Sequence, residues 1–182
     1  MKIGATCKLS FTILVVLFVS VSSFAKTNVY FSPSKGCETN IVDLINKSNH
    51  TINIAVYSIN NTNIIKAIKN AYDRGVKIRI LTDKVQAGSK YSKVVDLYNY
   101  GVNIRVHSKF KIEHNKFAIF DSKQVVSGSY NWTNSATYKN SENCVFLVNK
   151  RIVNKYDRRF NYLWKSNTKV KSDRWFEQMI RL

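Results

Sequence analysis

The sequence holds one proline, six glycines, three histidines, three cysteines and only 11 acidic residues in 182. So little proline, beside 45% hydrophobic residues, excludes extended disorder and leaves enough apolar mass for a packed core. No carboxylate cluster of the kind a two-metal nuclease needs is visible, and an acidic calcium buffer is excluded as well. The cysteines show no C-x-x-C spacing, which excludes a zinc site built on them. No internal repeat or low-complexity linker divides the chain, and its length suits one domain rather than two.

Positive charge is what the sequence has in excess. Lys and Arg number 29, which gives a formal +18. Such an imbalance excludes a partner that is itself basic and favours polyanions, either nucleic acid or a membrane surface rich in anionic lipid.

Residues 1–25 read as a secretory signal. Lys2 and Lys8 form a basic start, Phe11 to Val21 is an almost unbroken apolar run, and Ser23-Phe24-Ala25 supplies a small-x-small cleavage pattern. Eleven helical residues span about 16 Å, roughly half a bilayer core. An uncleaved membrane anchor is the alternative, and both readings imply export. Removal of residues 1–25 takes two lysines and no acid from the +18 and leaves +16, so the basicity belongs to the domain expected over 26–182. Cys7 leaves with the signal. Cys37 and Cys144 remain as an even pair in an oxidising compartment, free to bond if their backbones lie close enough.

Apolar runs alternate with helical periodicity along the rest, the mark of an α/β domain. Strands are expected at Val29–Phe31, Thr51–Tyr57, Val76–Thr82 and Val102–Val106, with helices at Glu38–Asn46, Thr62–Arg74 and Tyr91–Tyr100 between them. Lys84–Lys90 reads as a loop. Three strand–helix units in succession predict right-handed crossovers and a mixed, mostly parallel sheet flanked by helices. After them come short strands at Phe117–Asp121 and Gln124–Ser127 across a turn at Ser122-Lys123. A polar loop or short helix, a strand at Asn143–Val148 and a helix at Ile152–Trp164 complete the pattern.

The chemistry lies in His-Asn-Lys-Phe-Ala-Ile-Phe-Asp at 114–121, then Gly128-Ser129-x-Asn131, then Glu142. An extended chain from His114 projects His114 and Lys116 to one side. An imidazole beside an ammonium suits a phosphodiester, because the lysine offsets phosphate charge while the neutral ring attacks phosphorus. Ser129 and Asn131 are again two apart and offer neutral donors to phosphate oxygens. Glu142 is placed to accept from the imidazole's other nitrogen and stabilise its charged form. Arg105, Lys109, Lys111 and Lys116, with Phe110 among them, make a basic approach. Tyr130 and Trp132 flank Asn131 and read either as base-stacking groups or as packing, while His50 and His107 read as surface residues.

This constellation resembles the phospholipase D superfamily. His114, Lys116 and Asp121 match its HxKxxxxD motif, Gly128, Ser129 and Asn131 its GSxxN element, and Glu142 its downstream acid. Tyr30-Phe31-Ser32-Pro33, Ala55-Val56-Tyr57-Ser58 and Arg74-Gly75-Val76-Lys77-Ile78 look like the family's small, single-motif members. The resemblance implies a phospholipase D-like sandwich and a homodimer whose active site forms at the interface. His114 of one chain would be the nucleophile that becomes phosphohistidine, and His114 of the other the general acid and base. Lys116 and Asn131 would hold the phosphate, with Ser129 and Glu142 in support. Asp121, counted in the motif, would be more structural. No metal or other cofactor is implied.

Family resemblance leaves the substrate open. The first reading is a secreted, metal-independent endonuclease of little sequence preference, acting on DNA or RNA. The second is a phospholipase D releasing head groups from choline or anionic phospholipids. A basic binding protein with a degenerate site is the third, and the intact motif speaks against it.

Overall fold

The computed structural model describes residues 27–181, so the signal read over residues 1–25 lies outside the described part. Fourteen elements follow in chain order: β1 (Asn28–Ser32), α1 (Gly36–Lys47), β2 (Thr51–Val56), α2 (Thr62–Asp73), β3 (Lys77–Thr82), α3 (Lys84–Ala87), α4 (Val94–Asn99), β4 (Asn103–Val106), β5 (Lys116–Phe120), β6 (Gln124–Gly128), α5 (Asn134–Tyr138), β7 (Glu142–Leu147), α6 (Lys150–Ser166) and α7 (Lys169–Ile180). The strands form one seven-stranded sheet in the order β1-β7-β6-β5-β2-β3-β4.

Period-two alternation assigns each strand's side chains to two layers. Ile52, Ile54 and Val56 of β2, with Ile78 and Ile80 of β3, face a large core shared with α1, α2, α4 and α7. Ala55, Leu81, Phe117, Ile119 and Val125 point the other way, onto Val153, Phe160, Leu163 and Trp164 of α6. Each large side chain so buried contributes about 1.5–3 kcal/mol. The result is a helix–sheet–helix sandwich.

The expectation of a mostly parallel sheet is corrected here. Only β2–β3 and β3–β4 are parallel. The pairs β1–β7, β7–β6, β6–β5 and β5–β2 are all antiparallel. The strand–helix rhythm sets direction only up to β4. Loop 107–115 brings β5 back across the sheet to pair with β2, and hairpins propagate antiparallel order from there. Three further differences are local. Lys84–Lys90 is not wholly a loop, because Asp83 caps α3 by accepting from the amides of Val85 and Gln86. The helix expected from Tyr91 starts only at Val94. Helix α7, absent from the sequence reading, buries Trp175 and Phe176 in the large core, with Phe176 stacked on Tyr98.

The β5–β6 turn falls one residue earlier than expected. Asp121 and Ser122 have φ of 49° and 50°, and the Lys123 amide donates to the Phe120 carbonyl. Two successive left-handed residues form the turn whose twist matches a β-hairpin.

Cys37 and Cys144 are joined in a disulfide with 5.9 Å between their Cα atoms. The bond ties α1 to β7, two residues after Glu142, and links positions 107 apart in sequence. Beside it, buried Glu38 accepts from Asn61, Asn63 and Thr137, while the Tyr130 hydroxyl pairs with Thr137. This network backs the segment that carries Ser129 and Asn131.

Candidate active site

Parallel strands β2, β3 and β4 end at one edge of the sheet, the antiparallel β5 and β7 begin there, and β6 ends there. Topology alone therefore delivers His114, Lys116, Gly128, Ser129, Asn131 and Glu142 to one place. These six residues line a single open cleft of about 370 Å³. A larger hollow, about 780 Å³, lies at the opposite end of β2–β4 around Asn53, Lys77, Arg79 and Asn103. Its lining includes none of the six residues of the smaller cleft, so size does not mark the chemistry.

His114 stands exposed just before β5, its ring edge-on to Tyr57 with centroids 4.6 Å apart. The Tyr57 amide donates to the Asn115 carbonyl at 2.9 Å, which fixes the backbone between the two motif residues. The Lys116 ammonium donates to the His114 carbonyl at 2.8 Å and lies 5.1 Å from the Tyr57 ring centroid. Burial lowers the Lys116 pKa below that of an ordinary lysine, against the opposite pull of the Glu142 and Glu113 carboxylates. Glu113 is itself buried. Its amide donates to Asp83, and its side chain accepts from Asn115.

Gly128 permits the close approach that shapes the other wall. With φ of 154°, it lies against β7 so tightly that a Cβ would meet the Asn143 carbonyl oxygen at 2.2 Å. The next two amides, of Ser129 and Tyr130, both donate to that same oxygen. The Ser129 hydroxyl accepts from the Asn143 amide at 3.0 Å, which leaves its own proton available to the cleft. Asn131 is held through its neighbour. The Trp132 amide donates to the Ser58 carbonyl, and the Trp132 carbonyl accepts from the amides of Asn60 and Asn61. The Asn131 side-chain oxygen is buried without a partner.

Several readings of the sequence change with this geometry. Glu142 begins β7 and accepts from the Asn140 amide group at 3.0 Å rather than from His114. Asp121, counted with the motif but expected to be more structural, is not in the cleft. It sits at the far end of β5, about 16 Å along the strand from Lys116, and takes the amides of Asn49, His50 and Thr51 at 3.0, 2.8 and 2.8 Å. Burial alone would raise its pKa, but these three donors and His50 together hold it below the ordinary value. Tyr130 and Trp132 are buried and cannot stack on a base. Burial pushes the Tyr130 phenol up to about 12.

His107 is buried, not superficial, and its Nε2 accepts from the Phe110 amide. Arg105 turns away from the cleft to the carbonyls of Trp164 and Asn167. Sequence reasoning gave no role to Tyr57 and Asn143. The signal for both was positional, since each extends a strand to the edge where the motif lies.

An imidazole, an ammonium, a hydroxyl and an amide around one open cleft are the groups that engage a phosphate diester. Residues 41–164 match the family described as "Cardiolipin synthase, PLD-like domain".

The chain belongs to the phospholipase D superfamily.

It is a phosphodiesterase of that superfamily, a hydrolase. It is 34% identical over 141 residues to a phospholipase D of Rickettsia prowazekii, covering 76% of this chain and 69% of the relative. It is 29% identical over 123 residues to a mitochondrial cardiolipin hydrolase of Chlamydomonas reinhardtii, with 68% of this chain and 55% of that protein covered. Among solved structures, the phospholipase D family member Nuc of Salmonella typhimurium superposes with a TM-score of 0.75 at 28% identity, over 80% of this chain and 97% of that one. Among the described residues, no three His, Cys, Asp or Glu side chains gather as a metal site would.

Proposed function

We propose that this phospholipase D superfamily member is an exported, metal-independent endonuclease of low sequence preference that acts as a homodimer. The observation that carries the reading is the pairing of the His114 cleft with a domain of +16 charge after loss of residues 1–25. A fixed cationic surface concentrates a phosphate polymer, and counterion release supplies its binding free energy.

One protomer offers one imidazole, whereas hydrolysis needs both a nucleophile and an acid for the leaving oxygen. His114 is exposed in an open cleft, so a second copy facing it completes the pair. The His114 ring nitrogen forms a bond to phosphorus as the bond to the leaving oxygen breaks. That oxygen takes its proton from the second protomer's His114. The second imidazole then removes a proton from water, whose oxygen displaces the first imidazole and frees the product phosphate. Lys116 and Asn131 hold the non-bridging oxygens, with Ser129 and Glu142 supporting.

The test is digestion of plasmid and single-stranded DNA in EDTA beside a His114→Ala control. Cleavage that is lost in the variant supports the reading, and no cleavage by the folded dimer contradicts it. The phospholipase D named among the relatives favours a second reading, head-group release from phospholipid. Turnover of phosphatidylcholine or cardiolipin vesicles without DNA cleavage would establish that reading instead.

A further inference from the structure

Beside the cleft, loop 107–113 folds against α6 and builds a cluster that the hydrolytic chemistry does not use. Phe110 and Tyr162 are 43% and 46% exposed. The Lys109 ammonium bonds the Tyr162 hydroxyl at 2.7 Å and lies 4.6 Å from that ring's centroid. The Arg159 guanidinium lies 5.7 Å from the Phe110 centroid and 5.5 Å from that of Tyr162. Behind Phe110, the buried His107 ring runs parallel at 3° and accepts the Phe110 amide, so the loop is ordered from within. Arg159 also borders a hollow shared with Asn115, which directly follows His114.

We propose that Phe110, Tyr162, Lys109 and Arg159 form a stacking platform that takes the unpaired bases of a single strand whose phosphate enters the His114 cleft. The inference rests on the nuclease reading and refines its substrate class. Half-exposed aromatic rings with cations over them suit a strand that offers bases and phosphates in alternation, a base taking a ring face as the flexible cation moves onto phosphate. A duplex hides its base faces in the stack and gains only the charge. A lipid-inserting tip would need apolar groups clear of charge, since ammonium and guanidinium groups resist transfer into hydrocarbon. Here both cations lie over the rings. Helix α6 extends the track, with Lys150, Arg151, Lys155, Arg158 and Lys165 joining Arg159 against one acid, Asp157.

The experiment compares binding of an oligothymidylate and an abasic strand of equal length to the full protein carrying His114→Asn, which prevents turnover. The abasic strand keeps every phosphate and removes every base. The platform requires tighter binding of the base-bearing strand by about 5- to 150-fold for each stacked base. Phe110→Ala and Tyr162→Ala should each reduce that ratio, and Phe110→Trp should preserve it. Both positions are exposed, and circular dichroism with thermal melting verifies folding.

Equal affinity for the two strands, or a ratio unmoved by either alanine, overturns the proposal. So does a Phe110→Ala effect confined to adsorption on phosphatidylglycerol vesicles. Failure of the nuclease reading is seen separately, as absence of DNA cleavage by the unsubstituted protein whatever the binding ratio.

Discussion

In the proposed mechanism, His114 and Lys116 divide the work at the smallest scale. Without the imidazole no covalent step exists, so His114→Ala should lower phosphodiester turnover by at least about 10⁴-fold with an unchanged melting temperature. The lysine acts through its charge, and its pKa is lowered by burial. A lysine loses its charge as pH rises, so activity should fall on the alkaline side, with the limb below the ordinary lysine value of about 10.4. Lys116→Arg keeps its proton throughout that range and should remove the lysine's part of that limb, leaving the fall set by the second protomer's general acid, while reducing the rate by about 10- to 100-fold. A pH–rate profile of the two proteins checks this. An alkaline limb that persists unchanged in the arginine variant would detach Lys116 from it.

Asp121 belongs to the next scale, because what it holds is an element. Its Oδ1 accepts two amides and its Oδ2 one, closing the α1–β2 connection onto the β5–β6 turn. Asn tolerates a φ of 49°, yet Asp121→Asn turns one acceptor into a donor that faces an amide. We expect a loss of about 1–3 kcal/mol in unfolding free energy with kcat per folded molecule retained. The sign with pH follows from a depressed carboxyl pKa. The stabilisation is present above the unfolded-state value near 4 and disappears as pH falls through the lower folded-state value. Acid unfolding of wild type and variant should therefore converge at low pH.

Gly128→Ala drives a methyl into the Asn143 carbonyl and should cost at least about 3 kcal/mol, since β7 must move to admit it. The same shift would displace Ser129, so activity should fall with stability in a denaturant titration run beside an assay. Replacing Cys37 and Cys144 by serine should cost about 2–5 kcal/mol, because the bond closes a loop of more than a hundred residues.

Elements were legible in the sequence wherever periodicity was strong. Ile64, Ile65, Ile68 and Ala71 announce α2, and the β-branched, largely apolar run Thr51–Tyr57 announces β2. Strand direction was not legible, because the long return from β4 to β5 carries no signal for which neighbour β5 will choose. Helix α7 escaped notice because Trp175 and Phe176 are adjacent and do not make a helical stripe by themselves. The cleft residues were readable because motif spacing and strand edges coincide. The environment of Arg105 was not, since the carbonyls it meets, of Trp164 and Asn167, are distant in sequence.

At the scale of the whole molecule, the proposed function makes activity depend on charge and assembly. Binding of a nucleic acid should weaken linearly in log–log terms as salt rises, with a slope near −0.9 for each duplex phosphate neutralised, or about −0.7 on a single strand. A head-group hydrolase would respond to lipid composition instead. Assembly makes its own forecast. When inactive His114→Ala protein is mixed and re-equilibrated with an equal amount of wild type, a two-histidine interface leaves about a quarter of the dimers competent, whereas independent chains would leave about half.

The central claim is that His114 carries the phosphoryl group of a nucleic-acid diester during turnover. Rapid acid-free quenching of the enzyme with an oligonucleotide radiolabelled in its internal phosphates tests it directly. A phosphohistidine intermediate at His114 requires protein-bound label that resists alkali, is released by mild acid, maps to His114 and is absent from His114→Ala. Cleavage with no protein-bound label at any quench time, or label that persists in the alanine variant, would contradict it.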